Sequence, residues 1–386
     1  MTVIRPIRAF FGEHMYKEAM GVTGLALAAW LAHRQGIGGA AHVLWVSLIV
    51  LSSLVIWRAG DFFAPASSFI QNHHNLPQSI KAAVIDAVAS SFPEFCVAVI
   101  ATIQLGKAEV GVSTIIGSAL YNVLVIPAAV GLVATSPIKV GKDVVWRDNV
   151  FYLAVVGLLY IMLTQFAELQ PSGEVQTYWG LGVALIFLGT YLLYIFWLQR
   201  DYRKYQREHA GEPEPESDED EDEDEDPIEI TSEGGAWMWI AGMMILMGLS
   251  TEVLVTSAIN LGDLLTISPV VMGFVIIAAG TSVPDTALSV ISAQRGHYDA
   301  AISNVFGSNI FDICICLSVP VLIALTVSGE TLIDLKQVEL VWALIGATLL
   351  SFYFFWSKNY TLSKAKAGIM GLTYLMIVVY VVSSGA

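Results

Sequence analysis

Residues 87–94 read AVASSFPE, and residues 278–285 read AAGTSVPD. Both stretches run from small residues through two hydroxyl residues and an apolar residue to a proline and an acid. The two motifs are 191 residues apart, and each lies inside a long apolar segment. A motif repeated in this way predicts that the chain is built from two related halves.

A second pair of motifs extends the repeat into the next apolar segment. Residues 114–122 read TIIGSALYN, and residues 304–312 read NVFGSNIFD, at an offset of 190. A slip of one residue is ordinary in a connecting loop. The segment before the first motif also matches, because Gly60-Asp61 lies opposite Thr251-Glu252.

The composition is that of a membrane protein. Of the 386 residues, 55% are hydrophobic and only 14% are charged, whereas soluble domains carry roughly 25% charge. Twelve of the acids lie between Glu212 and Asp226. This composition argues against soluble enzymes, nucleic-acid binders and secreted disulfide scaffolds. The three cysteines lie in apolar segments and are interpreted as core residues: Cys96, Cys314 and Cys316.

Apolar stretches of roughly 20 residues, the length that crosses a bilayer as a helix, recur along the chain. They predict ten spans, at residues 43–63, 78–103, 110–134, 148–167, 176–198, 236–258, 267–293, 299–327, 337–356 and 366–385. An eleventh candidate covers residues 16–33. Basic residues precede it, which is also the layout of a signal peptide; we favour a retained helix because no clear cleavage site ends it.

The halves are separated by one long hydrophilic segment. We divide the chain into an N-terminal segment (1–42), a first five-helix repeat (43–198), an acidic loop predicted to be disordered (199–235) and a second five-helix repeat (236–386). Because five is odd, the repeats insert in opposite senses. The expected fold is an all-α polytopic membrane protein with a ten-helix core of two inverted repeats, an architecture typical of transporters.

The Lys and Arg distribution predicts the orientation. Alternating the ten spans places 13 basic residues on one side and 2 on the other. The first side is therefore expected to be cytoplasmic and to hold the acidic loop, with the C-terminus on the opposite side and the cell membrane as the location. His73 and His74 fall in a short cytoplasmic loop and are expected to be solvent-exposed rather than metal ligands.

Pro93 and Pro284 each remove a backbone donor and disturb the preceding turn. Glu94 and Asp285 follow them in mid-span, where a carboxylate is costly and indicates a functional site. Carboxylates, hydroxyls and freed carbonyls form an all-oxygen site, which suits a hard cation such as Ca²⁺. The alternative is a structural hydrogen bond between the halves.

The second pair of motifs adds further candidates. Gly117-Ser118 and Gly307-Ser308 are expected to allow close helix packing as well as to serve the site. Asn304 and Asn309 are candidates either for interhelical hydrogen bonds or for ion binding. Asp312 is a third acid deep in a span.

These motifs, in residues 84–126 and 271–320, resemble those of the calcium/cation antiporter superfamily, in particular its sodium/calcium exchanger family. The resemblance implies that Glu94 and Asp285 bind Ca²⁺, and that nearby hydroxyls supply oxygens to Ca²⁺ and Na⁺. The full set of expected metal ligands is Glu94, Asp285, Ser90, Ser91, Thr281, Ser282, Thr114, Ser118, Asn122, Asn304, Ser308, Asn309 and Asp312.

The sequence departs from the commonest family pattern in three places. Ala89-Ser90 replaces Gly-Thr, Thr114 replaces Asn, and Asp312 replaces Asn. The last two departures, and residues 110–124 (VGVSTIIGSALYNVL), are most similar to the potassium-dependent sodium/calcium exchangers. In that branch, the acid matching Asp312 is tied to K⁺ co-transport.

The expected function is exchange of Ca²⁺ for Na⁺ across a membrane, with K⁺ co-transport as a further hypothesis. Two alternatives remain: a Ca²⁺/H⁺ exchanger of the same superfamily, and a calcium channel. We expect no enzymatic activity, no cofactor and no nucleic-acid partner. The lipid bilayer is the expected surrounding, and a monomer suffices because one chain holds both halves of the site.

Overall fold

The computed structural model describes residues 4–74, 85, 87–134, 137–142, 144–169, 175–208, 230–294, 296, 298–328, 333–335 and 339–384. Helices in the first half are α1 (Ile4–Arg34), α2 (Ala40–Asp61), α3 (Ala64–His73), α4 (Ala87–Ser90), α5 (Phe92–Val99), α6 (Ala108–Val133), α7 (Val150–Gln165) and α8 (Leu181–Glu208). Helices in the second half are α9 (Glu233–Leu265), α10 (Pro269–Val271), α11 (Ala278–Thr281), α12 (Val283–Gln294), α13 (Tyr298–Phe311), α14 (Ser318–Ser328), α15 (Glu339–Tyr360) and α16 (Lys364–Ser384).

Four π-helical segments connect some of these helices: Ile100–Gln104, Val144–Asn149, Met272–Ile277 and Asp312–Cys316. Such segments are rare and frequently lie at functional sites. The first follows α5, and the third joins α10 to α11. The fourth begins at Asp312, one of the predicted site acids.

The predicted fold class is confirmed. In the described part of the chain, nine helices are long and apolar enough to cross a membrane, and Phe92–Gln104 is a shorter apolar helix. That shorter helix belongs to the second predicted span, whose predicted start at residue 78 lies outside the described residues. Most of the acidic segment and several of the basic residues used for the orientation also lie outside them.

A helix is present at the predicted N-terminal position as α1, but α1 is not among the described helices that are long and apolar enough to cross a membrane. Ala26 and Ala29 on α1 pack with Leu44 on α2 in a small buried cluster. Whether this helix is retained or removed as a signal peptide stays a prediction. The first span also extends beyond its predicted end at residue 63, because α3 continues from Ala64 with Pro65 in its first turn, where a missing N–H is tolerated.

The predicted start of the fifth span, residue 176, is wrong. Residues Val175–Trp179 form strand β3, and the helix begins at Leu181. The buried Trp179 side chain donates a hydrogen bond from its Nε1 to the Met162 carbonyl at 3.2 Å. The remaining strands are β1 (Ile138–Lys139), β2 (Ala167–Leu169), β4 (Ile333–Leu335) and β5 (Thr361–Leu362).

These strands form two small antiparallel sheets that join parts of the chain distant in sequence. β3 lies between β2 and β4, with Thr177 opposite Ala167 and Leu335. β1 pairs with β5, with Ile138 opposite Leu362. The two sheets therefore connect the ends of membrane helices in the first half to the ends of membrane helices in the second half.

Helix α6 lies at the centre of the molecule. Most of its residues from Ala108 to Gly131 are buried, and many belong to the largest apolar cluster. Large apolar side chains on peripheral helices are exposed instead, among them Leu192, Met238 and Val379. Lipid chains would cover this outer surface, whereas α6 carries its polar residues into the protein interior.

Candidate cation-binding site

The two motif helices are broken at equivalent positions. Ser91 separates α4 from α5 with φ −95° and ψ 6°, and Ser282 separates α11 from α12 with φ −83° and ψ 2°. Pro93 and Pro284 follow two residues later and cannot donate a backbone hydrogen bond. The structure thus shows the disturbed turns that the prolines predict.

Each break places an acid beside a serine of the same repeat. Ser118 Oγ donates to Glu94 Oε1 at 3.2 Å, and Ser308 Oγ donates to Asp285 Oδ1 at 3.1 Å. All four residues are fully buried. The two repeats therefore build the same acid–serine pair.

Hydroxyl contacts also cross between the repeats. Ser90 and Ser308 are joined by a hydrogen bond of 3.2 Å between their Oγ atoms. Ser118 and Ser282 are joined in the same way at 2.8 Å. Each motif serine therefore meets the serine of the other repeat's Gly-Ser pair, which brings both carboxylates to one interface.

Asn122 completes the connection on α6. Its Nδ2 donates to Asp285 Oδ2 and to Asn309 Oδ1, both at 3.1 Å. Asn309 in turn donates from Nδ2 to the Ala119 carbonyl at 3.1 Å. Asn309 therefore makes interhelical hydrogen bonds, which was one of its two predicted roles; the other was ion binding.

Several buried oxygens at this interface have no hydrogen-bond partner among the described residues: Ser91 Oγ, Glu94 Oε2, Asn122 Oδ1 and Asp312 Oδ2. The salt bridges of the described residues include none to Glu94, Asp285 or Asp312. An unpaired buried carboxylate oxygen is energetically costly. These oxygens can therefore serve as ligands for a cation.

Asp312 lies next to the carboxylate pair and is fully buried. The Cys316 Sγ lies 3.7 Å from Asp312 Oδ1 and 3.7 Å from the Ser91 carbonyl oxygen, and its S–H can donate to either. Cys316 therefore connects the third acid to the break between α4 and α5. Sequence reasoning treated Cys316 only as a core residue, although its position four residues after Asp312 on a helix was a usable signal.

Other predicted ligands make local contacts. Thr114 and Thr281 each donate to the backbone carbonyl four residues earlier, at 2.8 and 3.2 Å. Their oxygens keep lone pairs that can face a cation. Asn304 Nδ2 lies 3.5 Å from Ser289 Oγ, a weak contact.

The two glycines of the repeated Gly-Ser pair were both expected to allow close packing. A Cβ on Gly117 would lie 2.3 Å from the Phe274 carbonyl oxygen and 2.9 Å from the Ala278 Cβ. The predicted close packing is therefore confirmed at Gly117. At Gly307 it stays a prediction, because Ala83, which corresponds to Phe274 in the repeat, lies outside the described residues.

The chain matches a known protein family over both halves. The family described as sodium/calcium exchanger protein matches residues 44–199 and 235–383. CaxA of Alkalimonas amylolytica is 30% identical over 284 residues, covering 73% of this chain and 82% of that protein. Inner membrane protein YrbG of Escherichia coli is 29% identical over 285 residues, covering 73% of this chain and 80% of that protein.

A third relative is the human sodium/potassium/calcium exchanger 5, which is 24% identical and is matched over 73% of this chain and 70% of its own length.

Two solved structures show the same fold. The sodium–calcium exchanger NCX_Mj aligns with a TM-score of 0.59 and 20% identity, covering 88% of this chain and 98% of that chain. The H⁺/Ca²⁺ exchanger CAX aligns with a TM-score of 0.65 and 13% identity, covering 97% of this chain and 92% of that chain. The fold, the paired motifs and the family match agree: this chain is a multi-pass membrane transporter, not an enzyme, and belongs to the sodium/calcium exchanger protein family.

Proposed function

We propose that the protein is a secondary-active antiporter that exchanges Ca²⁺ for Na⁺ by alternating access at the Glu94–Asp285 interface. The observation that carries the proposal is the set of buried oxygens that have no hydrogen-bond partner among the described residues, above all Glu94 Oε2 and Asp312 Oδ2. A buried carboxylate without a basic partner is unfavourable. A bound cation compensates this charge and satisfies the oxygens at the same time.

The donor set favours a hard cation. The proposed ligands are all oxygen-bearing: Glu94, Asp285, Ser90, Ser91, Thr281, Ser282, Thr114, Ser118, Asn122, Asn304, Ser308, Asn309 and Asp312. Ca²⁺ takes about 6–8 oxygen ligands and tolerates irregular geometry. A subset of these residues is sufficient for one Ca²⁺, and the others are available to Na⁺.

Charge compensation supplies the coupling. One Ca²⁺ or several Na⁺ neutralise the carboxylates, and a neutralised site can move between the two sides of the membrane. Empty and half-loaded sites keep buried charge and move slowly. No cofactor is needed, because the ion gradient drives the cycle.

The finer hypothesis is co-transport of K⁺ with Ca²⁺. Glu94, Asp285 and Asp312 together carry three negative charges when ionised, which one Ca²⁺ and one K⁺ would balance. The relative named sodium/potassium/calcium exchanger 5 gives this hypothesis further support.

A Ca²⁺/H⁺ exchanger is the second candidate. Protons can neutralise buried carboxylates as Na⁺ does. The similarity in fold to the H⁺/Ca²⁺ exchanger CAX supports this second candidate. Both candidates share the fold and the site and differ only in the counter-ion.

The same proposal includes an orientation and a domain organisation. Residues 43–198 and 236–386 are assigned to the two inverted repeats, and the acidic segment between them is assigned to the cytoplasm. The helices enter the predicted bounds of that segment, 199–235, because α8 extends to Glu208 and α9 begins at Glu233. The C-terminus then lies on the opposite side of the cell membrane. One chain holds both halves of the site, so the antiporter can work as a monomer.

The test is Ca²⁺ uptake into liposomes that contain the purified protein. The vesicles are loaded with Na⁺, and uptake is measured with and without external K⁺. A second series replaces the Na⁺ gradient with a proton gradient. Empty liposomes and liposomes with Glu94→Gln protein serve as controls.

Uptake that requires internal Na⁺ supports Na⁺/Ca²⁺ exchange, and an added need for external K⁺ supports co-transport. Uptake driven only by the proton gradient would move the protein to the second candidate. Uptake that follows the Ca²⁺ gradient without any counter-ion and without saturation would contradict antiport and indicate a channel.

A further inference from the structure

His73 and His74 meet an acid from the other half of the chain. His73 ends α3, His74 follows it, and Glu233 begins α9. His74 Nε2 lies 3.0 Å from Glu233 Oε1, and His73 Nε2 lies 3.4 Å from Glu233 Oε2. The three side chains are half-exposed, so the predicted solvent exposure of the histidines is confirmed, but Glu233 was not expected beside them.

The spacing of these atoms fits a metal ion. Zn²⁺ binds imidazole nitrogen and carboxylate oxygen at about 2.0–2.2 Å in a tetrahedron, so ligand atoms lie roughly 3.3 Å apart. Each histidine Nε2 lies near this distance from one of the two Glu233 oxygens, and with one atom taken from each residue the three ligand atoms all lie within 4.8 Å of one another. Within the described residues, this is the one group of three His, Cys, Asp or Glu side chains that meets that distance limit.

Neighbouring groups hold the ligands in place. The His73 ring stacks on Phe69 with centroids 5.8 Å apart and 10° between the planes. The His74 ring stands at 89° to the His73 ring, so the two Nε2 atoms reach the carboxylate from different directions. Ser232 accepts a hydrogen bond from the Gly235 N–H at 3.2 Å and caps the helix that carries Glu233.

We propose that His73, His74 and Glu233 form a binding site for Zn²⁺ or a similar transition-metal ion, which fastens α3 to α9. Two imidazoles and one carboxylate are typical zinc ligands, and the exposed side leaves a fourth position for water. The site differs in chemistry from the all-oxygen interface around Glu94 and Asp285. It does not depend on which ions the protein transports.

The site lies at a corner that reaches the transport helices. Trp239 Nε1 on α9 donates to the Phe62 carbonyl at 2.6 Å, next to the start of α3. Below it, a buried apolar cluster joins α3, α4 and α9: Phe63, Ala66, Ile70, Ala89, Ala236 and Ile240. Because Ala89 directly precedes Ser90, a metal at this corner would tighten the packing against the broken helix.

The first test is calorimetric titration of Zn²⁺ into the purified full chain, with Ca²⁺ in excess so that oxygen-rich sites and the acidic segment are occupied. The variants are His73→Ala and His74→Ala. His42→Ala is the matched control, because His42 is an exposed histidine on α2 outside the group. Thermal unfolding without Zn²⁺ checks that each variant is folded.

We expect one Zn²⁺ per chain in the wild type and in His42→Ala. Loss of a residue that only hydrogen-bonds to a metal ligand weakens metal binding by ~10–100-fold. Loss of a histidine that binds the metal directly should weaken Zn²⁺ binding by at least as much. Absence of Zn²⁺ binding to the wild type would overturn the proposal. Zn²⁺ affinity in His73→Ala and His74→Ala equal to that of the wild type would also overturn it.

A second test needs no variant. Hydrogen exchange of the wild type with and without Zn²⁺ should show slower exchange at the end of α3 and the start of α9, with no change in α16. Unchanged exchange at both segments despite bound Zn²⁺ would overturn the proposed fastening of the two helices.

Discussion

The first-repeat carboxylate and the second-repeat carboxylate are held differently, although their motifs match. Asp285 accepts a hydrogen bond at each oxygen, from Ser308 and from Asn122. Glu94 accepts at Oε1 from Ser118, with Ser282 more distant at 3.5 Å, and its Oε2 has no partner among the described residues. Within the described part of the chain, both oxygens of Asp285 are held by hydrogen bonds, whereas one oxygen of Glu94 is not.

This difference separates two roles within a symmetric pair. A carboxylate with two protein partners is already oriented, so it can present its remaining lone pairs at low cost. A carboxylate with a free oxygen gains most from a cation. We therefore expect Glu94 to be the acid whose state depends most on ion binding, and Asp285 to be the preformed half of the site.

The largest effect is expected from neutralising either acid. Glu94→Gln and Asp285→Asn should each lower Na⁺-driven Ca²⁺ uptake by on the order of 100-fold or more, because a buried ion loses its charged partner. Equilibrium Ca²⁺ binding to each purified variant checks the cause. Near-normal uptake in Glu94→Gln would contradict its role as the principal ligand.

The third acid should change the ion requirement. Asp312→Asn removes one of three buried charges, so K⁺ should no longer be needed, while Na⁺-driven Ca²⁺ uptake continues. Uptake measured over a K⁺ series for wild type and variant tests this. If a K⁺ requirement is present and persists in Asp312→Asn, the assignment of K⁺ to this residue is wrong.

Two helical glycines give a matched test of packing. Gly117→Ala places a methyl group against the Phe274 carbonyl, a backbone atom that cannot turn away. We expect a loss of about 1–3 kcal/mol in stability, as for other overpacked cores. Gly189 is exposed on α8 and its Cβ would meet no described atom within 4 Å, so Gly189→Ala should leave stability near that of the wild type.

The measurement is thermal unfolding of both variants in detergent, followed by tryptophan fluorescence. Equal melting temperatures for Gly117→Ala and Gly189→Ala would contradict the close approach of α6 to the Phe274 carbonyl.

The smallest effect concerns the serine partners. Ser118→Ala leaves Glu94 with only the 3.5 Å approach of Ser282, whereas Ser308→Ala leaves Asp285 bonded to Asn122. Loss of one such bond is worth about 1 kcal/mol, or roughly fivefold in Ca²⁺ affinity. Calorimetric titration of Ca²⁺ should therefore show a larger loss for Ser118→Ala than for Ser308→Ala, and the reverse order would contradict the comparison.

Much of the fold and the identity of the site acids could be predicted from the sequence. The motif repeat located Glu94 and Asp285, because a proline followed by a mid-span acid has few structural explanations when it occurs twice. Apolar length located most spans. Strand β3 was missed because Tyr178 and Trp179 lie directly before the apolar helix, with only Gly180 between them, and only pairing with distant strands identifies Val175–Trp179 as a strand.

The asymmetry of the site could not be predicted, because the sequence motifs are nearly identical. Glu94 and Asp285 differ through Asn122, which bonds to Asp285 and whose counterpart in the second repeat is Asp312. The His73–His74–Glu233 group was missed for a different reason. Its members lie about 160 residues apart, and only tertiary packing brings α3 and α9 together.

The central claim is that one oxygen-lined site binds either Ca²⁺ or Na⁺. The most direct measurement is equilibrium binding of radioactive Ca²⁺ to the purified protein at fixed pH while Na⁺ is raised, with Glu94→Gln as the control. The account predicts that Na⁺ displaces Ca²⁺ competitively and more steeply than a single ion would, and that Glu94→Gln binds neither. Ca²⁺ binding that is unchanged by Na⁺ and is lost only on acidification would contradict it.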